Sequence, residues 1–225
     1  MKTERTRAVV LRRTNYGEAD RIVQLLTPLG RRSVMARGVR KEKSKLAGGI
    51  ELFAVSDVVL GQGKGDLGIL TSARLVQFYR HILEDYDRIQ FGYEALKLVA
   101  RASELVDEPE WYEVATQVLM ALDAASVDLR LTQTWFYVHY ADLLGHALGL
   151  QYDVNGEKLQ PGISYRYDVG EKGLRQAENG VLTSDHIKLL RLIATKPLDK
   201  LAQIGGISEV IDECLLLARE HAAIS

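Results

Sequence analysis

Apolar and polar positions alternate with a period near two through the first 80 residues, in short runs divided by turn-forming segments. The candidate strands are "RAVVLRR" (7–13), "RIVQLLT" (21–27), "RSVMARG" (32–38), "LFAVSDVVLG" (52–61) and "LGILTSARLV" (67–76). Between them, "TNYGEAD" and "PLGR" supply turn chemistry, since Pro28 presets its own φ and Gly30 accepts a positive one. Five strands in so short a stretch suit a small barrel.

From about residue 82 the period becomes helical. Ile89, Tyr93, Leu96, Ala100 and Ser103 share one predicted face, and Trp111, Val114, Val118, Leu122 and Ala125 share the next. Asp107, Glu108 and Pro109 divide these two helices, with Glu110 opening the second. A third helix is expected from about Arg130 to Leu148, stopping near Gly149. Residues 151–182 lose the pattern and hold five glycines and a proline, which predicts a small hairpin-like insertion. Helices resume after Thr183, a candidate N-cap, and run to about Thr195 before Pro197. The last begins near Ser208, with Val210, Ile211, Cys214, Leu215 and Ala218 on one face. The expected class is α+β: a barrel domain over 1–80 and a helical domain over 81–225 that carries the insertion.

Composition narrows the class without naming a function. The 225 residues are 47% hydrophobic and 26% charged, as in a globular protein. No apolar run approaches the roughly 20 residues of a spanning helix. The opening "MKTERTRAVVLRR" lacks the apolar core of a signal peptide, so a cytoplasmic location is expected. A single cysteine, Cys214, excludes an intrachain disulfide framework and a thiolate-clustered zinc site.

Charge changes the picture more. The net charge of −1 conceals an imbalance: residues 1–80 hold 16 Lys+Arg against 7 Asp+Glu, leaving 13 against 23 for the remainder. A basic module for a polyanion joined to an acidic module accounts for this distribution. The basic residues concentrate in "ARGVRKEKSKLAGG" (36–49), where Arg37, Arg40, Lys41, Lys43 and Lys45 stand against one anion, Glu42. Such a loop can follow a phosphate backbone, each cation releasing counterions, and a five-stranded barrel offers a groove for single strands. Arg12, Arg13, Arg31 and Arg32 add charge on neighbouring strands, with Arg12 and Arg13 as further candidate contacts. Gly48 and Gly49 read as a hinge into the fourth strand. Aromatics are few in this region (Tyr16, Phe53, Phe78 and Tyr79), so binding should lean on backbone electrostatics with little sequence specificity.

Three other patterns invite chemistry and carry less. Gly63-x-Gly65-x-x-Gly68 matches the dinucleotide fingerprint in form, but a strand-like segment follows it where a helix is required, so a strand connection is expected. His139, Asp142 and His146 have a helical spacing that can direct three ligands to one side, yet the surrounding "WFYVHYADLLGHALGL" is mostly apolar and favours packed histidines. Cys214 lies on an apolar helix stripe as a small hydrophobe. No nucleophile and base pairing stands out, and no cofactor is expected.

Residues 8–79 carry a combination of motifs: Tyr16-Gly17-Glu18-Ala19-Asp20-Arg21, Ala36-Arg37-Gly38 leading into Lys43-Ser44-Lys45-Leu46, and Gly65-Asp66-Leu67 with Leu70-Thr71. In these the segment resembles the N-terminal domain of the bacterial RecO family of recombination mediators. The remaining chain is similar in arrangement and weaker in motif. The resemblance implies an OB-fold barrel followed by a helical domain. It also implies binding of single- and double-stranded DNA, annealing of complementary strands, contact with the single-strand-binding protein SSB, and work with RecR to load RecA, without nucleotide hydrolysis. Many such proteins carry a four-cysteine zinc finger in the helical domain, whereas here residues 150–182 hold no cysteine. The insertion is therefore expected to keep its outline without zinc ligands.

Three readings follow. The first is a non-enzymatic DNA-binding mediator. The second is an adaptor whose acidic helical half binds a protein, with the barrel as a subunit interface. In the family picture the SSB tail is acidic and hydrophobic, so its receptor needs a basic-rimmed apolar pocket, for which Lys97, Arg101 and Arg130 are the candidates. The third is binding of structured RNA by the barrel.

Overall fold

The computed structural model describes residues 3–224. The alternating segments form β1 (Thr3–Tyr16), β2 (Asp20–Thr27), β3 (Gly30–Ala36), β4 (Ala54–Lys64) and β5 (Leu67–Phe78), close to the expected runs. They close in the order β1-β2-β3-β5-β4, with β1 pairing both β2 and β4. All pairs are antiparallel except β3 and β5, which meet in parallel over Ser33–Met35 and Leu67–Ile69. Closure leaves no free sheet edge, and it depends on β1 bending at an irregularity between Val10 and Arg12. This is the five-stranded OB-type barrel. The Gly63–Gly68 motif is a strand connection: Gly65 sits in the turn with φ +59°, and Leu67 pairs back onto Lys64.

Inside the barrel, Ala8, Val10, Val23, Leu25, Val34 and Ala36 point to one core. The basic loop contributes two members of its own, Val39 and Ile50, both buried, with Leu46 and Ala47 packed beside them. Glycine 49 is also buried, and a Cβ there would collide with the backbone of Ala73 on β5. It is a packing seat rather than the hinge that the sequence suggested.

The opposite face of β1 and β2 buries Val9, Leu11 and Leu26 where α1 (Tyr86–Leu105) and α2 (Glu110–Asp123) meet those strands. Asp85 caps α1 by accepting the Arg88 N–H. Leu96, Ala100 and Ser103 of the predicted α1 face are buried, and the buried surface widens to Phe91, Ala95, Val99 and Ala102, whereas Ile89 is half-buried and Tyr93 exposed. Phe53 packs at the start of this surface. Its backbone takes a positive φ of 57°, and its ring needs the space over Gly92, where a Cβ would sit 2.8 Å from Phe53 Cε1. Gly92 therefore belongs to the buried face although it adds nothing to an apolar count. On α2 the predicted stripe of Trp111, Val114, Val118 and Leu122 is buried, while Ala125 lies beyond the helix end.

By compactness the chain divides after Ala124, so the barrel together with α1 and α2 forms one unit and residues 125–225 form another. Strand gives way to helical structure after Phe78, and α1 and α2 pack on the strands.

The second unit contains α3 (Leu129–Leu143), β6 (Tyr165–Asp168), β7 (Gly173–Gln176), α4 (Ser184–Ile193), the short α5 (Leu198–Leu201) and α6 (Ile211–Ala223). Helix α3 ends earlier than expected because Gly145 takes a φ of +83°, which leaves His146 outside it. The expected hairpin over 151–182 is present as β6 and β7. Leu150, Leu159, Tyr165, Leu174 and Leu182 are buried, Asp168 pairs with Arg175 at 2.6 Å, and Asp153 accepts the Asn155 and Glu157 N–H groups. Those residues do not fit a zinc centre: the segment holds no cysteine, its buried side chains are mostly apolar, and no group of His, Cys, Asp and Glu that could hold a metal occurs among the described residues.

Two histidines of this unit, the buried His221 and the half-buried His139, are held in the neutral form. His139 lies against Trp135, with Nε2 donating to the Ile193 carbonyl, and burial lowers its pKa below the ordinary 6.5. His221 Nε2 donates to the His146 carbonyl at 2.7 Å, so Nδ1 accepts from the Tyr167 hydroxyl at 2.7 Å, and burial again lowers the pKa. With both folded values depressed, the unfolded chain binds protons first as pH falls. The stability these rings contribute is complete above about pH 6.5 and is lost as pH drops from there through the folded values. The denaturant midpoint of this unit is expected to be lower at about pH 5.5 than at about pH 7.5, and His139→Gln with His221→Gln should flatten that difference. A midpoint independent of pH over that range would contradict the neutral assignment.

Candidate nucleic-acid interface

The basic loop is a chain of turns rather than an unstructured tether. Gly38, at φ +63°, donates its N–H to Asp20 Oδ1 at 2.6 Å, and the Arg40 N–H donates to the Ala19 carbonyl at 2.9 Å. The Arg40 guanidinium reaches the Gly17 carbonyl at 3.2 Å. The start of the loop is thus fastened to the β1–β2 turn. Further turns join Lys41 N–H to Gly38 O and Ser44 N–H to Lys41 O, and a single 3₁₀ turn covers Ala47–Gly49.

On this frame all five loop cations, Arg37, Arg40, Lys41, Lys43 and Lys45, are exposed. None of them pairs with a carboxylate among the described residues. The remaining candidates of the barrel behave differently. Arg13 donates to Glu51 Oε2 at 3.0 Å and to the Ile50 carbonyl, so it ties β1 to the loop's end. Arg31 pairs with Glu104 at 3.3 Å and Arg32 with Glu4 at 3.6 Å. Half-buried at the surface, pairs of this kind contribute little to stability, but they offset the charge that a count along the chain assigns to the barrel surface.

Arg12 is exposed and faces elsewhere. It borders a cleft of about 640 Å³ between the barrel and α1, with an apolar wall of Leu11, Leu52, Leu96 and Ala100 beside Tyr93. Lys97 and Arg101 stand on the same rim, one helical turn apart, together with Gln24 and Glu104. The third partner candidate, Arg130, belongs to the second unit, where Asp128 at 2.7 Å and Asp212 at 3.0 Å hold its guanidinium and raise its pKa. It is a structural cation there.

Among the barrel's aromatics, Phe53 and Tyr79 are buried and Phe78 is half-buried, whereas Tyr16 is 56% exposed at the end of β1. Cys214 is fully buried, and burial pushes its thiol up to about 12, which leaves it inert at neutral pH. No described helix is long and apolar enough to cross a membrane.

Comparison with known proteins gives matches along nearly the whole chain. Residues 1–79 match the family model described as recombination protein O N terminal, and residues 83–222 match recombination protein O C terminal. A protein of Roseiflexus sp. named DNA repair protein RecO is 40% identical over 144 residues, which cover 63% of this chain and 50% of that protein. Two Dehalococcoides mccartyi proteins of the same name, from strains 195 and CBDB1, are 29% and 30% identical over 226 residues, covering 96% of this chain and 88% of each relative.

Proposed function

Because the chain belongs to the recombination protein O family, whose relatives carry the name DNA repair protein RecO, we propose that it is a non-enzymatic mediator of recombination. In this reading it holds single- and double-stranded DNA, anneals complementary strands, and works with SSB and RecR so that RecA can be loaded. The observation that supports DNA as the ligand is the loop of residues 37–45, with five exposed cations that pair with no carboxylate among the described residues, on a frame fixed to the barrel. Phosphate contacts of this kind position a nucleic acid and carry little sequence information.

The cleft beside α1 supports the partner part of the proposal. An apolar wall rimmed by Arg12, Lys97 and Arg101 suits an acidic and hydrophobic peptide tail, the chemistry expected of SSB. Arg12 is accordingly assigned to the partner rather than to DNA, and Arg130 to neither. Since the cleft needs both the barrel and α1, its test requires the full chain.

A strand-annealing assay on bare and on SSB-coated complementary oligonucleotides tests both parts. The wild-type chain is expected to accelerate annealing on both substrates. Lys97→Glu with Arg101→Glu is expected to keep activity on bare strands and to lose roughly 10-fold or more on coated ones, as for removal of charge pairs at an interface. No acceleration by the wild-type chain would remove the mediator reading. Equal activity of the double variant on coated DNA would remove the cleft. A stronger hold on an RNA oligonucleotide than on its DNA counterpart would favour an RNA-binding barrel instead.

A further inference from the structure

The outer face of the β1–β2–β3 sheet is covered at one end and open at the other. Cross-strand partners share a face, so the register lays out successive rows of side chains. Val9 and Leu26 form a fully buried row under the helices, Arg12 and Gln24 form the next at the cleft, then come Thr14, Ile22 and Met35, and finally Tyr16 and Asp20. Alternation places Val23, Val34 and Ala36 inside the barrel and therefore Ile22 and Met35 outside it. Both are only half-buried, and Thr14 and Tyr16 are exposed. Asp20, directly across from Tyr16, is the residue whose carboxylate holds the Gly38 N–H. The phenol ring thus stands on the side of the sheet where the basic loop begins, next to Gly17, whose carbonyl accepts from the Arg40 guanidinium.

We propose that this open end is a platform for unpaired bases, with Tyr16 stacking on a base and Ile22 and Met35 forming the apolar floor beneath its neighbour. The inference rests on the reading of the loop as a phosphate-binding segment and adds a preference that phosphate contacts cannot supply. A duplex presents phosphates to the loop as readily as a single strand does, but its bases are already stacked on one another. A single strand gains the aromatic contact in addition.

The test measures the affinity of the full chain for a single-stranded oligonucleotide and for a blunt duplex of matched composition, in wild type, Tyr16→Ala and Tyr16→Phe. The ring is exposed, so neither substitution should change the thermal unfolding of the barrel. Tyr16→Ala is expected to lose about 5-fold or more on the single strand, the lower end of base stacking on an aromatic, and less than about 2-fold on the duplex, while Tyr16→Phe stays close to wild type. A 2-aminopurine base in the single strand should be quenched by wild type and Tyr16→Phe and much less by Tyr16→Ala. Equal losses on the two substrates, or none on the single strand, would overturn the platform while leaving the loop assignment standing. Failure of the wild-type chain to bind either oligonucleotide would overturn the loop reading, and the platform with it.

Discussion

Replacing Arg40, Lys41 and Lys43 together with glutamate is expected to weaken binding to oligonucleotides of any sequence by roughly 10- to 100-fold near physiological salt. The slope of log K against log salt should flatten by about 2 on single strands, because each lost phosphate contact removes about 0.7 of a released counterion. The three side chains are exposed and have no carboxylate partners among the described residues, so their loss should leave the barrel folded. The change removes the guanidinium bond from Arg40 to the Gly17 carbonyl, while the Arg40 N–H bond to Ala19 involves backbone only and survives. The control is a matched reversal at Arg13, Arg31 and Arg32. Those cations sit against Glu51, Glu104 and Glu4, so reversing them places like charges together; the expected cost is in stability, with a smaller change in salt slope. An unchanged slope in the loop variant would exclude the loop from the interface.

Trp111→Ala is expected to destabilise the barrel unit by about 3–5 kcal/mol, the range for truncating a fully buried large aromatic. The ring opens α2 beneath the junction with α1, and its Nε1–H donates to the Val106 carbonyl just after α1 ends, at 2.9 Å. Truncation removes the packing, leaves a cavity and deprives that carbonyl of its donor. Trp111→Phe keeps most of the packing and loses the hydrogen bond and part of the ring volume, so it should cost less. Denaturant midpoints of the three chains, with wild type as reference, check the order. A midpoint for Trp111→Ala near wild type would mean that the helices do not depend on this ring.

The barrel was legible in the sequence because two local signals coincide. Alternation of period two marks the strands, and Gly17, Gly30 and Gly65, all at positive φ, mark the turns between them. The parallel pair, β3 with β5, joins distant segments, and no local pattern specifies it. The loop cations were legible for the same local reason: a run of like charge is visible in the chain itself. The status of Arg13, Arg31 and Arg32 was not, because each finds its carboxylate between 28 and 73 positions away. Lys97 and Arg101 could be picked out by charge and helical spacing, yet their apolar wall comes partly from Leu11 and Leu52 of the barrel region. Tyr16 appeared as one aromatic among four. What separates it is exposure, which depends on where α1 and α2 stop covering the sheet.

The way the basic loop is built separates what heredity must keep from what it may alter. Val39 and Ile50 are core residues of the barrel, and Gly49 admits the close approach of β5. Between these fixed ends, the five exposed cations have no carboxylate partner among the described residues, and of their side chains that of Arg40 is held by the Gly17 carbonyl. The interval behaves as a cassette: its charge pattern can be rewritten, or exchanged with that of a relative, while the same barrel presents it.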